Sequence, residues 1–181
     1  EGPLIVIANE LFDALPVHQF EFTGDQWHER LVDVQPDGTG LRLVLDPAAA
    51  NSKTLGRFAR PDDRAIAEVC PAGVAIAEHL AERVGCDTGA ALIVDYGHAE
   101  TGYGDTVQGV KNHLTQSIFE APGMVDLCAH VDFATLAEAG RAGGGGAPAH
   151  GMRGVLHRGV EPVRVPAGEG HAGGHPQQLR R

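Results

Sequence analysis

Two apolar runs in this chain each end abruptly in polar, acidic residues. Pro3-Leu-Ile-Val-Ile-Ala8 stops at Asn9-Glu10, with Asp13 close behind, and Ala90-Ala-Leu-Ile-Val94 stops at Asp95-Tyr96-Gly97-His98. Carboxylates at strand ends can pair with a cationic substrate or accept a proton. In open α/β sheets ligands bind outside the carboxyl ends of the strands. Both clusters are therefore predicted to face one crevice. Each acid also has a structural alternative. Glu10 could sit at a helix N-terminus, favoured by the macrodipole. Asp13 could fix the turn before Pro16, and Asp95 could cap a turn. The wholly apolar strand ahead of Glu10 favours a functional role there, and the strand-end position of Asp95 does the same.

Other residues invite chemistry on weaker patterns. His98, His113 and His130 lack short ligand spacing such as HxxxH, so they are read as hydrogen-bonding histidines and no metal site is expected. Gly102-Tyr-Gly104 holds GxG but no GxGxxG after a strand, which gives little support for phosphate cradling. Cys70, Cys86 and Cys128 are odd in number and widely spaced, with no CxxC, and are read as small buried apolar residues in a reduced compartment.

The elements that must position these residues follow from patterning. The run at 3–8 is β-branched and reads as a central strand buried on both faces, and 90–94 as a second of the same kind. Leu11–Leu15 is a short turn closed by Pro16. Residues 17–22 and 27–34 alternate, Thr23-Gly-Asp25 and Pro36-Asp-Gly38 are turns, and Leu41–Leu45 completes a three-stranded antiparallel meander. Ala48–Pro61 is predicted as an irregular loop with short helical turns. Val74, Ala77, Leu80, Ala81 and Val84 recur at helical spacing after Pro71, with a stop at Gly85. His98–Gly109 is a polar loop, Lys111–Phe119 is predicted helical, and Val131–Ala139 opens a helix capped by Asp132. Strand, inserted meander, helix, strand is the order of an α/β sheet with a parallel pair.

Composition divides the chain. The formal charge of −10 splits into −14 for residues 1–139 and +4 for residues 140–181, and the latter contain no aromatic residue but 12 of the 25 glycines. Such a segment has too little apolar surface to offset the entropy of ordering, so 140–181 is expected to be a disordered tail, His171 and His175 included. Its composition is also that of a GC-rich gene read in a shifted frame, an expectation that resequencing near Gly140 decides. An acidic folded part argues against nucleic acid and anionic membrane as partners, and no apolar run approaches the roughly 18 residues that span a bilayer. The chain starts at Glu1 with no Met and no basic-then-apolar leader. The expectation is that no signal peptide is present and that the natural N-terminus lies upstream.

Ala8-Asn-Glu-Leu-Phe-Asp-Ala-Leu-Pro16 resembles the signature of the MidA-type methyltransferase family, relatives of a mitochondrial complex I assembly factor that methylates an arginine. Three further stretches agree in order and spacing. They are Glu68-Val-Cys-Pro71, Ala90–His98 with Gly104-Asp-Thr-Val-Gln108, and Pro122–Phe133. The resemblance implies a Rossmann-like class I methyltransferase fold with an inserted lobe, S-adenosylmethionine as cofactor and a protein arginine as substrate. It makes 3–8 the fourth strand and 90–96 the fifth. The family's glycine-rich cofactor loop and ribose-binding acid precede the first matched block, so residues 1–139 are expected to be the C-terminal half of the domain. The resemblance ends near Gly140.

Carried onto this sequence, the family pattern makes Glu10 the first candidate for the catalytic acid and Asp13 the second, with Asn9 touching the cofactor. Asp95, Tyr96, His98 and Asp105 would line the substrate side, and His130 and Asp132 would close the pocket. The implied partner is a protein substrate, with a respiratory complex I subunit as candidate, in the mitochondrial matrix for a eukaryotic source or the cytoplasm for a bacterial one. Two other readings stay open: a non-catalytic binding or assembly module for a respiratory subunit, and a gene fragment without function. Strands lacking their usual neighbours would leave a sheet edge and face exposed, which predicts association.

Overall fold

The computed structural model describes residues 2–143 apart from 51, 52, 59, 60, 88 and 113. His113 and the tail beyond 143 lie outside the described residues. The apolar run becomes β1 (Ile5–Asn9), and the second run becomes β6 (Ala90–Val94). They pair in parallel, with Ile5 opposite Ala90 and Asn9 opposite Val94, so both end at the same edge. Between them come β2 (His18–Thr23), β3 (Gln26–Val34), β4 (Leu41–Ala49), a 3-10 turn at Lys53–Arg57, β5 (Ile66–Val69) and α1 (Pro71–Asp87). After β6 follow β7 (Gly97–His98), β8 (Gln108–Lys111), β9 (Leu114–Gln116), β10 (Asp126–Cys128), β11 (Val131–Asp132) and α2 (Phe133–Gly143). The architecture is mixed α/β, as expected.

The inserted sheet has one strand more than the predicted meander. Its order is β4-β3-β2-β5, antiparallel throughout, and β5 adds to the far edge of β2 with His18 opposite Val69. The β2–β3 hairpin turns on Gly24 and Asp25, both at positive φ (58° and 63°), the primed geometry that matches strand twist. Phe20, Leu55 and Ala67 form this lobe's small core, with Trp27, Phe58 and Val69 packed on it.

The other core lies between the β1–β6 pair and the two helices. Ala8, Phe12, Ala77, Ile93, Val131, Leu136 and Ala139 are buried there, with Val74, Ile76, Leu80 and Phe133 against them. Of the α1 positions that the helical spacing selected, Val74, Ala77 and Leu80 join this core together with Ile76, which the spacing did not select. Asp132 caps α2 as predicted: its Oδ1 accepts the Thr135 N–H at 3.0 Å.

Four expectations are corrected. The strand at 3–8 is not buried on both faces: Ile5 and Ile7 are 76% and 72% exposed, and Leu92 beside them is 48% exposed. Among the described residues the helices cover only one face of the pair. Lys111–Phe119 is not helical, because β8 and β9 form a tight antiparallel hairpin with Lys111 opposite Leu114 and Asn112 at positive φ (52°). Helix α1 passes Gly85 to reach Asp87. Helix α2 continues through Gly143, four residues into the segment read as tail. There Gly140 is buried, and a Cβ at Gly143 would fall on the Glu78 carbonyl, so glycine permits the α1–α2 approach.

Gly97 is a second such contact, at the edge where the acids gather. It sits in the parallel β7–β11 pair opposite Val131, and a Cβ there would fall on the Val131 carbonyl oxygen. Gly97→Ala must force the pair apart, which costs about 1–3 kcal/mol. Thermal denaturation should show a lowered Tm, whereas Gly102→Ala, with nothing within 4 Å of its added Cβ, should leave Tm nearly unchanged.

Candidate functional site

Parallel pairing brings the two acidic strand ends together. Asp95 is 3% exposed, and its carboxylate is the hub. Oδ2 accepts the N–H of Phe12 at 2.9 Å and of Asp13 at 3.2 Å, and Oδ1 accepts the N–H of Tyr96 at 2.9 Å. Asp95 therefore clamps the turn that follows β1 onto the end of β6. The Glu10 N–H adds a bond to the Val94 carbonyl at 2.9 Å, and the Ala129 N–H bonds the Asp13 carbonyl at 2.9 Å. Glu10 holds a left-handed backbone, φ 48°, which a non-glycine residue adopts at a cost of roughly 1–3 kcal/mol. Its side chain is exposed at the strand end next to Asn9, which is also exposed.

The cluster repels itself. Burial raises the Asp13 carboxyl above its ordinary range, and the charges of Asp95 and Glu10 add to the rise. Tyr96 donates its hydroxyl to Glu10, which, with the Glu10 charge, raises the phenol. Burial lifts the Cys128 thiol, followed by Asp13, Asp95 and Asp126. No cation figures among these influences.

A raised carboxyl in the folded state stabilises only when protonated. That contribution is present below the unfolded value of 3.8 and is lost as pH rises through the higher folded value. At neutral pH the ionised Asp13 thus works against folding. Asp13→Asn should raise Tm near neutrality, and the gain over wild type should vanish on acidification below about pH 4. Denaturation at both pH values checks the sign.

His98, Asp105, His130 and Asp132 do not join this cluster. They line a cleft of about 940 Å³ between the inserted sheet and the α1–α2 pair. Phe12 and Ala129 form its wall on the side of the acid cluster. The strand-end acids thus lie just behind that wall, and the predicted residues divide into two adjacent groups.

The cleft is held by residues that patterning did not single out. Glu68 on β5 accepts Gln19 Nε2 at 2.7 Å, the Thr106 N–H at 2.9 Å, the Val107 N–H at 3.3 Å and the Thr106 hydroxyl. Thr106 Oγ1 in turn accepts the His130 N–H at 2.8 Å. Gln19 Nε2 also reaches Asp105 Oδ1 at 2.9 Å, and Arg30 Nη1 lies 3.0 Å from Asp105 Oδ2. Arg30, Gln19 and Glu68 sit abreast on β3, β2 and β5. This polar row ties the loop before β8 to the inserted sheet. Burial lowers the His130 imidazole, and the His98 charge lowers it further against the pull of Glu68. Among the described residues no helix is long and apolar enough to cross a membrane.

The family model for S-adenosyl-L-methionine-dependent methyltransferases matches residues 1–151. The chain is 44% identical over 138 residues to the mitochondrial protein arginine methyltransferase NDUFAF7 of Danio rerio, covering 75% of this chain and 32% of that protein. It is 41% identical over 138 residues to the Homo sapiens protein of the same name, covering 75% and 30%. The chain spans about a third of the length of these curated relatives. A crystal structure of a Burkholderia thailandensis protein bound to S-adenosyl-homocysteine superposes with a TM-score of 0.65 at 26% identity, over 78% of this chain and 38% of that one.

Proposed function

Because the chain belongs to the S-adenosyl-L-methionine-dependent methyltransferase family, we propose that it supplies the arginine-handling part of a protein arginine methyltransferase. The observation that supports this most is the acid cluster of Glu10, Asp13 and Asp95, with Tyr96, at the ends of two parallel strands, where the charges acting on Asp13 and Tyr96 are all acidic among the described residues. Self-repelling carboxylates fit a cationic guest, and the guanidinium is the cation that two carboxylates hold by paired hydrogen bonds.

In this reading β1 and β6 are the fourth and fifth strands of a class I methyltransferase domain. The four-stranded sheet is its insertion, and residues 1–139 are its C-terminal half. Glu10 and Asp13 orient the substrate guanidinium and keep it charged while it binds. As its nitrogen takes the methyl group it must lose a proton, and the exposed Glu10 carboxylate receives it. Tyr96 fixes Glu10 through the hydroxyl contact. Asp95 acts through the turn that it clamps, and His98, Asp105, His130 and Asp132 border the substrate on the cleft side. The described residues fit one flank of the cofactor: the exposed Asn9 amide beside Glu10 offers both a donor and an acceptor. Bound there, S-adenosylmethionine supplies an electrophilic methyl group.

The proposed substrate is a protein, with a respiratory complex I subunit as candidate. The relatives' names place those proteins in mitochondria, and the proposed setting is the mitochondrial matrix for a eukaryotic source or the cytoplasm for a bacterial one. The uncovered apolar face of Ile5, Ile7 and Leu92 favours a second reading, in which the chain holds a partner without turnover. Calorimetric titration with S-adenosyl-homocysteine separates the two. A protein carrying this chain at its relatives' full length should bind one equivalent. Absence of binding would overturn the methyltransferase reading.

A further inference from the structure

We propose that the cleft between the inserted sheet and the α1–α2 pair is a second recognition site, which takes a basic stretch of polypeptide beside the arginine to be modified. The proposal rests on the arginine-handling reading above and adds a sequence preference to it.

The first support is charge. Among the described residues that line the cleft are six carboxylates, Glu68, Glu78, Glu100, Asp105, Asp132 and Glu138, against two cations, Lys53 and Arg57. Four of the six are committed. Glu68 holds the loop before β8, Asp105 faces Arg30, Asp132 caps α2, and Glu138 pairs with Arg57 at 3.0 Å. Arg57 is thereby neutralised as well. Glu78 and Glu100 are exposed and form no ion pair among the described residues. An occupant must therefore bring positive charge to two free carboxylates on the cleft walls, one on α1 and one on the loop after β7.

The second support is the aromatic wall. Phe58 and Tyr103 line the cleft with ring centroids 5.7 Å apart, and Tyr103 stacks on Trp27 at 6.3 Å. Tyr103 remains 43% exposed. Aromatic faces beside carboxylates are the surroundings that Lys and Arg side chains prefer, because the ring face attracts a cation while the stem packs on carbon. Neutral apolar guests would leave the free carboxylates unpaired, and anionic guests would be repelled.

The third support is place. Phe12 and Ala129, which line the cleft, are bonded to the acid cluster: the Phe12 N–H to Asp95 Oδ2 and the Ala129 N–H to the Asp13 carbonyl, both at 2.9 Å. A chain whose arginine reaches Glu10 and Asp13 thus has this cleft as its neighbour. Its volume of about 940 Å³ holds several side chains.

Fluorescence anisotropy on the full 181-residue chain tests this without cofactor or turnover. The probes are a short labelled peptide with one Arg between pairs of Lys, and its counterpart with Gln in place of each Lys. The basic peptide should bind about tenfold more tightly, from several weak cation contacts acting together, and the difference should shrink at high salt. The Glu78→Gln and Glu100→Gln double variant should lose most of that preference while its Tm stays at the wild-type value. Equal affinity for both peptides, binding of neither, or a preference that survives the double variant would overturn the proposal. A failed methylation assay would leave this result standing. A missing peptide preference would leave the methyltransferase reading standing.

Discussion

A Glu10→Gln variant, in a protein of the relatives' full length, should methylate arginine about 10²–10⁴-fold more slowly than wild type, the usual contribution of a positioned acid–base group. The substitution keeps shape and removes charge. Glu10 is exposed, and its backbone is already left-handed. Glutamine meets the same φ strain, so folding should be unaffected and Tm should move little. Lost rate at unchanged Tm separates catalysis from stability. Two features of the cluster set the size of the effect. Asp13 is half-buried beside Asp95, whereas Glu10 stands exposed at the strand end and is the carboxylate that an incoming guanidinium meets first. Tyr96 keeps its hydroxyl on Glu10, which holds that carboxylate in one orientation. Steady-state kinetics on both forms checks the expectation. Wild-type rates in the variant would remove Glu10 from the reaction.

The second large effect is on folding. Asp95→Ala should cost about 3–5 kcal/mol, a large share of the roughly 5–15 kcal/mol that holds a domain together. Three backbone N–H groups, those of Phe12, Asp13 and Tyr96, lose their acceptor at once. Phe12 is 4% exposed, so water cannot readily replace the carboxylate there. Removing Asp95 also relieves repulsion on Asp13, but that group is only partly buried and solvent screens the interaction. The unpaired donors therefore dominate the balance. Asp95→Asn retains one acceptor oxygen and turns an amide donor toward another donor, so its loss should be intermediate. Denaturant unfolding of both variants gives the order wild type, Asn, Ala; equal stability of all three would show that the turn after β1 does not depend on this clamp.

Much of the positioning is legible in the sequence alone. The continuous apolar runs at β1 and β6 marked strands of one sheet, and their polar endings marked the edge at which the acids gather. The α1 stripe and the Asp132 cap followed from local chemistry alone. Residues whose roles depend on distant partners were not legible. Glu68 sits in a short strand whose pattern carries little signal, and its partners lie 38 to 49 residues away in sequence. The left-handed backbone of Glu10 is invisible because glutamate gives no cue for it, whereas glycine would. Leu114 and Ile118, four apart, imitate a helical stripe, yet the turn at Asn112 folds that segment into a hairpin. The apolarity of β1 predicted cover on both faces, but only the pairing and the helices decide which face is covered. The family pattern grouped the nine candidate site residues as one pocket. The fold instead divides them by the wall of Phe12 and Ala129, with Asn9, Glu10, Asp13, Asp95 and Tyr96 behind it and the other four in the cleft.

The proposed task of the acid cluster is to hold a guanidinium for methylation. The most direct test is the chemical identity of the product. A protein of the relatives' full length carrying this chain is incubated with methyl-labelled S-adenosylmethionine and a mitochondrial protein extract, and the labelled residue is identified by mass spectrometry after hydrolysis. Methylarginine, absent when Glu10→Gln replaces wild type, is the predicted result. Label on lysine, histidine or a carboxylate instead would contradict the account.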